Sequence, residues 1–265
     1  MIIIRLAGGF GNQLFQFSAA LLLAKTHKIK EIIIDDTALI DYKIKNNNML
    51  IQFLDFSKTN IKISCKKNFI TKFRVPKIIP ILSFVSDKNF TTALKRKLPF
   101  YILDGYFQDC FTQEKFDYIS KQVKNMFIFN KPINVSPLRC VIHIRGGDFV
   151  EFGWNVIAPS EYYYSAIKFM QDMHGITSFL IITDDEIFAK KIINQDDSKF
   201  EFRSSTIEND FRSIGSFPFK ILSSSTFSFW ASLMGDDEGA VIAPRSWTPF
   251  RKRLLFLPNE IFLNK

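Results

Sequence analysis

From Leu138 to Ala243 the sequence alternates short apolar runs with amphipathic stretches, and this alternation constrains the fold more than any other feature. Leu138–Arg145 reads as a strand, Pro159–Met173 as a helix, Ser178–Thr183 as a strand and Glu186–Ile193 as a helix. Glu201–Arg203, Glu208–Ser216, Phe219–Leu222, Phe227–Met234 and Gly239–Ala243 continue the series of strand, helix, strand, helix and strand. Such a pattern builds a doubly wound parallel sheet. A sheet of that kind places its ligands at the carboxyl ends of its strands. Three of those ends carry polar groups: Arg145–Asp148, Thr183–Asp185 and Ser223–Thr226.

The first half opens in the same way. Met1–Leu6 reads as a buried strand, and Ala7–Gly11 as a tight glycine turn. Asn12 is placed to cap a helix from Gln13 to about His27, and Ile32–Ile34 gives a second strand. That is a βαβ unit. Leu14, Phe17, Leu21 and Ala24 make one helical face, while Phe15, Leu22 and Leu23 lie on others, so the helix is expected to be buried on more than one side. Gly9-Phe10-Gly11 lacks the third glycine of a dinucleotide fingerprint, and no Gly-Lys-Ser/Thr ending completes a P-loop. Asp41 to Lys97 reads as irregular structure with short helices, including a loop at Asn46–Asn48. Tyr101–Asp109 reads as a strand ending in a polar turn, followed by a helix from about Gln113 to Met126. Lys131–Pro137 reads as a linker, giving an N-terminal α/β domain over 1–135 and a C-terminal one over 136–265.

Charge separates the halves. Residues 1–135 hold 21 Lys and Arg against 10 Asp and Glu, whereas residues 136–265 hold 14 against 16. Lys58–Lys97 contains eleven basic residues and one acid, Asp87, as a basic insertion in the first domain. Such a stretch suits an anionic membrane surface or a phosphorylated acceptor, and equally a solvated face. No zinc-finger spacing, aromatic–basic RNA motif or helix-turn-helix pattern accompanies it, so nucleic acid is not an expected partner. Cys65, Cys110 and Cys140 show no paired spacing, which fits a reducing compartment. No signal peptide and no apolar run of membrane-spanning length is apparent. A cytoplasmic protein in peripheral contact with the inner membrane is expected.

The polar strand ends suggest a nucleotide diphosphate. Arg145 has a planar fork suited to phosphate, and Gly146 and Gly147 let backbone approach a ligand. Ser223–Thr226 precedes a helix, where hydroxyls, N–H groups and the helix dipole favour an anion. Asp184 or Asp185 is placed to accept from a guanine edge or a ribose hydroxyl. Ordinary capping by Ser223–Thr226 and Asp184–Asp185, and a surface ion pair from Arg145 to Asp148, are the alternatives. There is no Gly-x-Ser-x-Gly elbow and no ligand cluster of metal-site spacing.

Four segments, in order, resemble the bacterial α-1,2-fucosyltransferases of glycosyltransferase family 11. They are Gly8–Gln16, Leu103–Gln108, His143–Asp148, and Asn209–Phe211 with Ser224–Trp230. The resemblance implies a GT-B architecture of two Rossmann-like domains. The first would lie on the acceptor side and the second would bind the GDP-sugar. It implies inverting transfer from GDP-β-L-fucose to the 2-hydroxyl of a galactoside, in O-antigen or other surface polysaccharide synthesis, with no metal cofactor. Carried over, Arg145, Asn12 and Asp148 are the catalytic candidates. His143, Arg145, Asp184, Ser224, Ser225, Thr226 and Phe227 are the donor-binding ones. Arg145 would stabilise the departing GDP, and Asn12 would lie near the transferred sugar. Asp148 and Glu151 are carboxylates near the motif, and neither is assigned as base.

Three positions depart from the family pattern. Gly146 stands where a second Arg is frequent, Phe229-Trp230 where two Trp are common, and Phe217-Pro218-Phe219 where Cys-x-His precedes the strand. These leave another GDP-6-deoxyhexose, such as GDP-colitose, open as donor. A non-catalytic nucleotide- or saccharide-binding protein on the same scaffold is the reading from a different class.

Overall fold

The computed structural model describes residues 1–41, 47–66, 82–128, 135–151, 153, 158–194, 198–235 and 238–263, with the side chains at 40, 41, 82, 83 and 148 outside the description. Much of the basic stretch, at 67–81, and most of the expected linker, at 131–134, therefore lie outside it. The chain divides into two compact units, Met1–Asn130 and Lys131–Lys265.

The first unit is built on a five-stranded parallel sheet. Its strands are β1 (Ile2–Arg5), β2 (Glu31–Asp35), β3 (Lys62–Cys65), β4 (Leu82–Val85) and β5 (Phe100–Leu103), in the order β3-β2-β1-β5-β4. Ile2, Ile4, Ile32 and Ile34 are fully buried at its centre. The helix Phe10–His27 packs on β1 and β2. Its other sides meet aromatic partners: Phe15 stacks on Phe116 at 5.7 Å, and Phe10 meets Phe53 at 5.1 Å. This explains why the helix is apolar all round rather than along one stripe. Phe90, Phe107, Phe111 and Phe116 continue the ring contacts, so the abundant phenylalanines of this half fill core.

The structure corrects two expectations here. The stretch read as irregular with short helices does hold such a helix, Phe90–Lys95, and also the two unexpected strands β3 and β4. Both strands lie at the sheet edges and are four residues long. An edge strand buries less, and β3 (Lys-Ile-Ser-Cys) has no fully buried position, so its apolar signal is weak. Nor does Asn12 cap the first helix, which begins two residues earlier with Gly9 as its N-cap.

The second unit has a six-stranded parallel sheet of β6 (Arg139–Ile144), β7 (Ser178–Thr183), β8 (Phe200–Arg203), β9 (Phe219–Ile221), β10 (Val241–Ile242) and β13 (Glu260–Ile261). The hairpin strands β11 (Ser246–Thr248) and β12 (Arg251–Lys252) pair antiparallel between β10 and β13 in sequence. The sheet order is β13-β10-β9-β6-β7-β8. Counted within the unit, this is the doubly wound order 3-2-1-4-5-6, whose direction of winding reverses between β6 and β9. Cys140, Ile142, Ile144, Phe179 and Ile181 form one core face, with Tyr163, Ala166, Ile167 and Met170 of the helix Ser160–His174 against it.

Past β10 the chain is fastened by one buried ion pair. Arg253 and Glu260 are each 2% exposed at the side chain and bond through both guanidinium ends. Arg253 also donates to the carbonyls of Pro244 and Leu255. Removing one member strands the other charge in the interior. Glu260→Ala is therefore expected to lower the unfolding free energy by about 3–5 kcal/mol, read by urea titration. A loss within the usual surface range would show that the pair is not a fastening.

Candidate functional site

The carboxyl ends of β6 and β9 flank the reversal of winding in the second unit. His143 Nδ1 lies 2.7 Å from Ser223 Oγ, a hydrogen bond across that point. His143 is 4% exposed. Burial, with the nearby Arg145 charge adding to it, lowers its pKa from 6.5 to about 3. His143 is therefore neutral at physiological pH and serves as a fixed hydrogen-bonding wall. Tyr163 donates to the His143 carbonyl at 3.4 Å. Tyr162 donates to the carbonyls of Leu222 and Ile242 at 2.7 and 3.1 Å, tying the ends of β9 and β10 together.

Two residues beyond His143 comes Arg145, and two beyond Ser223 comes Ser225. Arg145 Nη1 pairs with Asp184 Oδ2 at 2.6 Å, and Asp184 Oδ1 accepts from the Gly146 N–H at 2.9 Å. Asp184 thus holds both the cation and its loop. Arg145 also lies 5.4 Å from the Phe149 ring. Ser225 is the N-cap of the helix Thr226–Met234 and accepts from the Phe227 N–H at 3.3 Å. Ser223 and Ser225 are buried, whereas Ser224, Thr226 and Phe227 are partly exposed. Phe227 packs edge-on against Phe211 at 5.4 Å and lies 5.9 Å from His143. The arrangement offers a restrained guanidinium and a helix N-terminus from adjacent strand ends, which is what an oxyanion of a diphosphate requires.

The bland alternatives account for part of this. Asp185 caps the helix Glu186–Ile193 by accepting from the Phe188 N–H at 2.9 Å, and Ser225 caps the helix Thr226–Met234. One ion pair of Arg145 is with Asp184. The side chain of Asp148, in the short helix Gly147–Glu151, lies outside the described residues. Among the described residues, no three His, Cys, Asp or Glu side chains are grouped as metal ligands would be.

Gly146 has a local cause. A Cβ there would lie 2.8 Å from Phe188 Cδ1 and 2.9 Å from Asp185 Cβ. The position is closed by the following helix, so any side chain requires those neighbours to move.

In the first unit the loop after β1 is held by amides. Gln16 accepts from the Ala7 N–H and donates to the Gly105 carbonyl, at 3.1 and 3.0 Å. Gln13 donates to the carbonyls of Gly8 and Asn47 and accepts from the Met49 N–H. Both glutamines are buried. The Asn12 side-chain oxygen accepts from Gln108 Nε2 at 2.8 Å, so the amide is oriented from the loop after β5. Gly8 takes φ +74°, and a Cβ there would meet Asn12 Nδ2 at 2.6 Å. Asp87 holds the β5 loop by accepting from the Tyr106 and Phe107 N–H groups at 3.0 and 2.7 Å.

Several of these residues escape a sequence reading. Tyr162 and Tyr163 look like ordinary helix-face aromatics, and Asp87 looks like a lone acid in a basic stretch. Asp210 is half-buried, accepts from Ser205 Oγ at 2.8 Å, and has its pKa raised chiefly by burial. It sits next to Phe211, which touches Phe227.

The sequence matches the model of glycosyl transferase family 11 over residues 1–263. An O-antigen biosynthesis glycosyltransferase of Escherichia coli, WbnK, is 24% identical over 284 residues, covering 91% of this chain and 93% of that protein. An alpha-1,2-colitosyltransferase of E. coli is 25% identical over 274 residues, covering 93% and 92%. The crystal structure of the fucosyltransferase NodZ from Bradyrhizobium superposes with a TM-score of 0.56 at 12% identity, covering 88% of this chain and 92% of that one. That likeness is one of fold, the GT-B type with two Rossmann-like units.

Two outcomes follow from the geometry. An unfolded histidine titrates near 6.5 and His143 near 3. Stability from this difference is complete above pH 6.5 and is lost as pH falls toward 3. Between pH 6.5 and 5.5 the loss should be about 1 kcal/mol, steepening toward about 1.4 kcal/mol per pH unit below that. The difference between wild type and His143→Gln in unfolding free energy should carry that slope; parallel profiles would contradict a buried neutral His143. Gly146→Ala should cost about 1–3 kcal/mol by overpacking, and an unchanged melting curve would show that the position is open.

Proposed function

The chain belongs to glycosyltransferase family 11, and we propose that it transfers L-fucose from GDP-β-L-fucose to the 2-hydroxyl of a galactoside, with inversion, in surface polysaccharide synthesis. The observation that carries this reading is the hydrogen bond from His143 to Ser223. It brings the Arg145 loop and the Ser225-capped helix start to adjacent strand ends. In the proposed reaction the acceptor oxygen bonds to the sugar's anomeric carbon while the bond to the diphosphate breaks. GDP leaves with the electron pair, and the hydroxyl proton passes to a base that is not assigned. Arg145 and the N-terminus of the helix Thr226–Met234 stabilise the charge that develops on the diphosphate, in place of a metal. Phe227 lies against the base, Ser224 and Thr226 contribute hydroxyls to the phosphates, and Asp184 holds Arg145 in position. Asn12, oriented by Gln108, acts near the transferred sugar, and the first unit supplies the acceptor side.

A second donor remains in view for a specific reason. Identity to WbnK and to the colitosyltransferase is almost equal, and Gly146 places no second cation beside Arg145. GDP-colitose is therefore the alternative donor, with the same roles for the residues that hold GDP.

GDP release from GDP-fucose, with β-galactoside acceptors and EDTA present, tests the reading. Acceptor-dependent release is expected, and Arg145→Ala should lower kcat by about 100- to 1000-fold, or about 3–4 kcal/mol. Turnover of the variant within a few-fold of wild type would remove Arg145 from the reaction. Faster turnover of GDP-colitose than of GDP-fucose would reassign the donor alone.

A further inference from the structure

The segment from Gly239 to Asn259 contains no acidic residue and four cations, Arg245, Arg251, Lys252 and Arg253. Arg253 is buried and committed to Glu260. The other three lie on or beside the β11–β12 hairpin, with Arg245 and Lys252 exposed and Arg251 partly so. From Lys252 to Pro258 the side chains alternate strictly between exposed and buried. The inward set is Arg253, Leu255 and Leu257. The outward set includes Leu254 and Phe256, 56% and 47% exposed, and Phe250 at the hairpin turn is 94% exposed. An extended segment with one face on the core and one in water would carry polar residues at its outward positions. Here large apolar side chains face outward and an arginine faces in.

This exposure is built rather than loose. At the base of the hairpin Trp247 is buried edge-on against Phe229 at 5.3 Å. The Arg253 N–H donates to the Arg245 carbonyl at 2.8 Å. The base of the hairpin is thus held in place, and Phe250 stands exposed at its turn.

We propose that this hairpin is a membrane-contact element that inserts Phe250 and Leu254 into the interfacial zone of an anionic bilayer, with Arg245, Arg251 and Lys252 at the headgroups. Exposed aromatic and aliphatic side chains that share a short segment with three cations and no acid complement a lipid surface that is apolar beneath and negative above. A second copy of the chain fits poorly. A two-fold contact through this patch would set the three cations against their own counterparts with no carboxylate between them. The inference is independent of the donor-site reading and goes beyond it, giving the second unit a surface that would hold the enzyme beside a lipid-linked acceptor.

Co-flotation of the purified protein with phosphatidylglycerol–phosphatidylethanolamine vesicles, without nucleotide, tests the proposal. Wild type should float with these vesicles, only weakly with phosphatidylcholine vesicles, and should be released by high salt. Phe250→Ser with Leu254→Ser should reduce binding about tenfold or more, and Lys252→Glu should weaken it on anionic vesicles alone. Both variants alter exposed side chains, so their melting temperatures should match wild type, which separates lost docking from lost fold. Absence of wild-type flotation, or equal flotation of the double variant, would overturn the proposal. So would a wild-type dimer in solution that the double variant converts to monomer.

Discussion

The candidate site of the second unit depends on a histidine that is kept neutral. His143 sits near the end of a central strand, buried near a permanent cation, and bonds to Ser223 in the loop after the neighbouring strand. A protonated ring there would be desolvated and repelled by the Arg145 charge. Because it is neutral, it can join two loops at the point where the sheet reverses its winding. The guanidinium of Arg145 and the cap of the next helix then lie two residues past the two ends of one hydrogen bond. Asp184 completes the arrangement from a third strand by holding both Arg145 and the Gly146 N–H.

The two units solve a similar problem with different chemistry. In the second, charge and a helix terminus meet at the strand ends. In the first, the loop after β1 is rigid because Gln13 and Gln16 spend their amides on backbone groups and Gln108 orients Asn12. Buried amides that are fully bonded specify one loop conformation, since each lost partner would leave a buried polar group unsatisfied. Asp87 does the same for the β5 loop. It is the one acid in an otherwise basic stretch, and the fold uses it as a staple.

How much of this was legible follows from what each signal measures. The central strands and the helices of the second unit could be read because both faces of a parallel sheet are covered, which leaves continuous apolar runs such as Val141–Ile144 and Phe179–Ile182. Edge strands β3 and β4 could not, because a strand with one neighbour has less surface to bury. Arg145 and the Ser225 cap stood out as polar residues at strand ends. Their restraints did not: nothing local links His143 to Ser223, 80 positions apart, or places Tyr162 beneath two strand ends. Asn12 was misread as a cap because Asn before a helix is a favoured pattern, while its amide is taken by a residue 96 positions away. Gly146, a departure in sequence, has a plain steric cause in Phe188 and Asp185. The inverted alternation after Pro244 became visible only once burial separated Arg253 from Leu254.

The most direct test of the account is a crystal structure of the protein with GDP. The diphosphate is expected within hydrogen-bonding distance of the Arg145 guanidinium and of N–H or hydroxyl groups at the start of the helix Thr226–Met234, with the His143–Ser223 bond intact. GDP bound away from the carboxyl ends of β6 and β9, or bound there with no contact to Arg145, would contradict it.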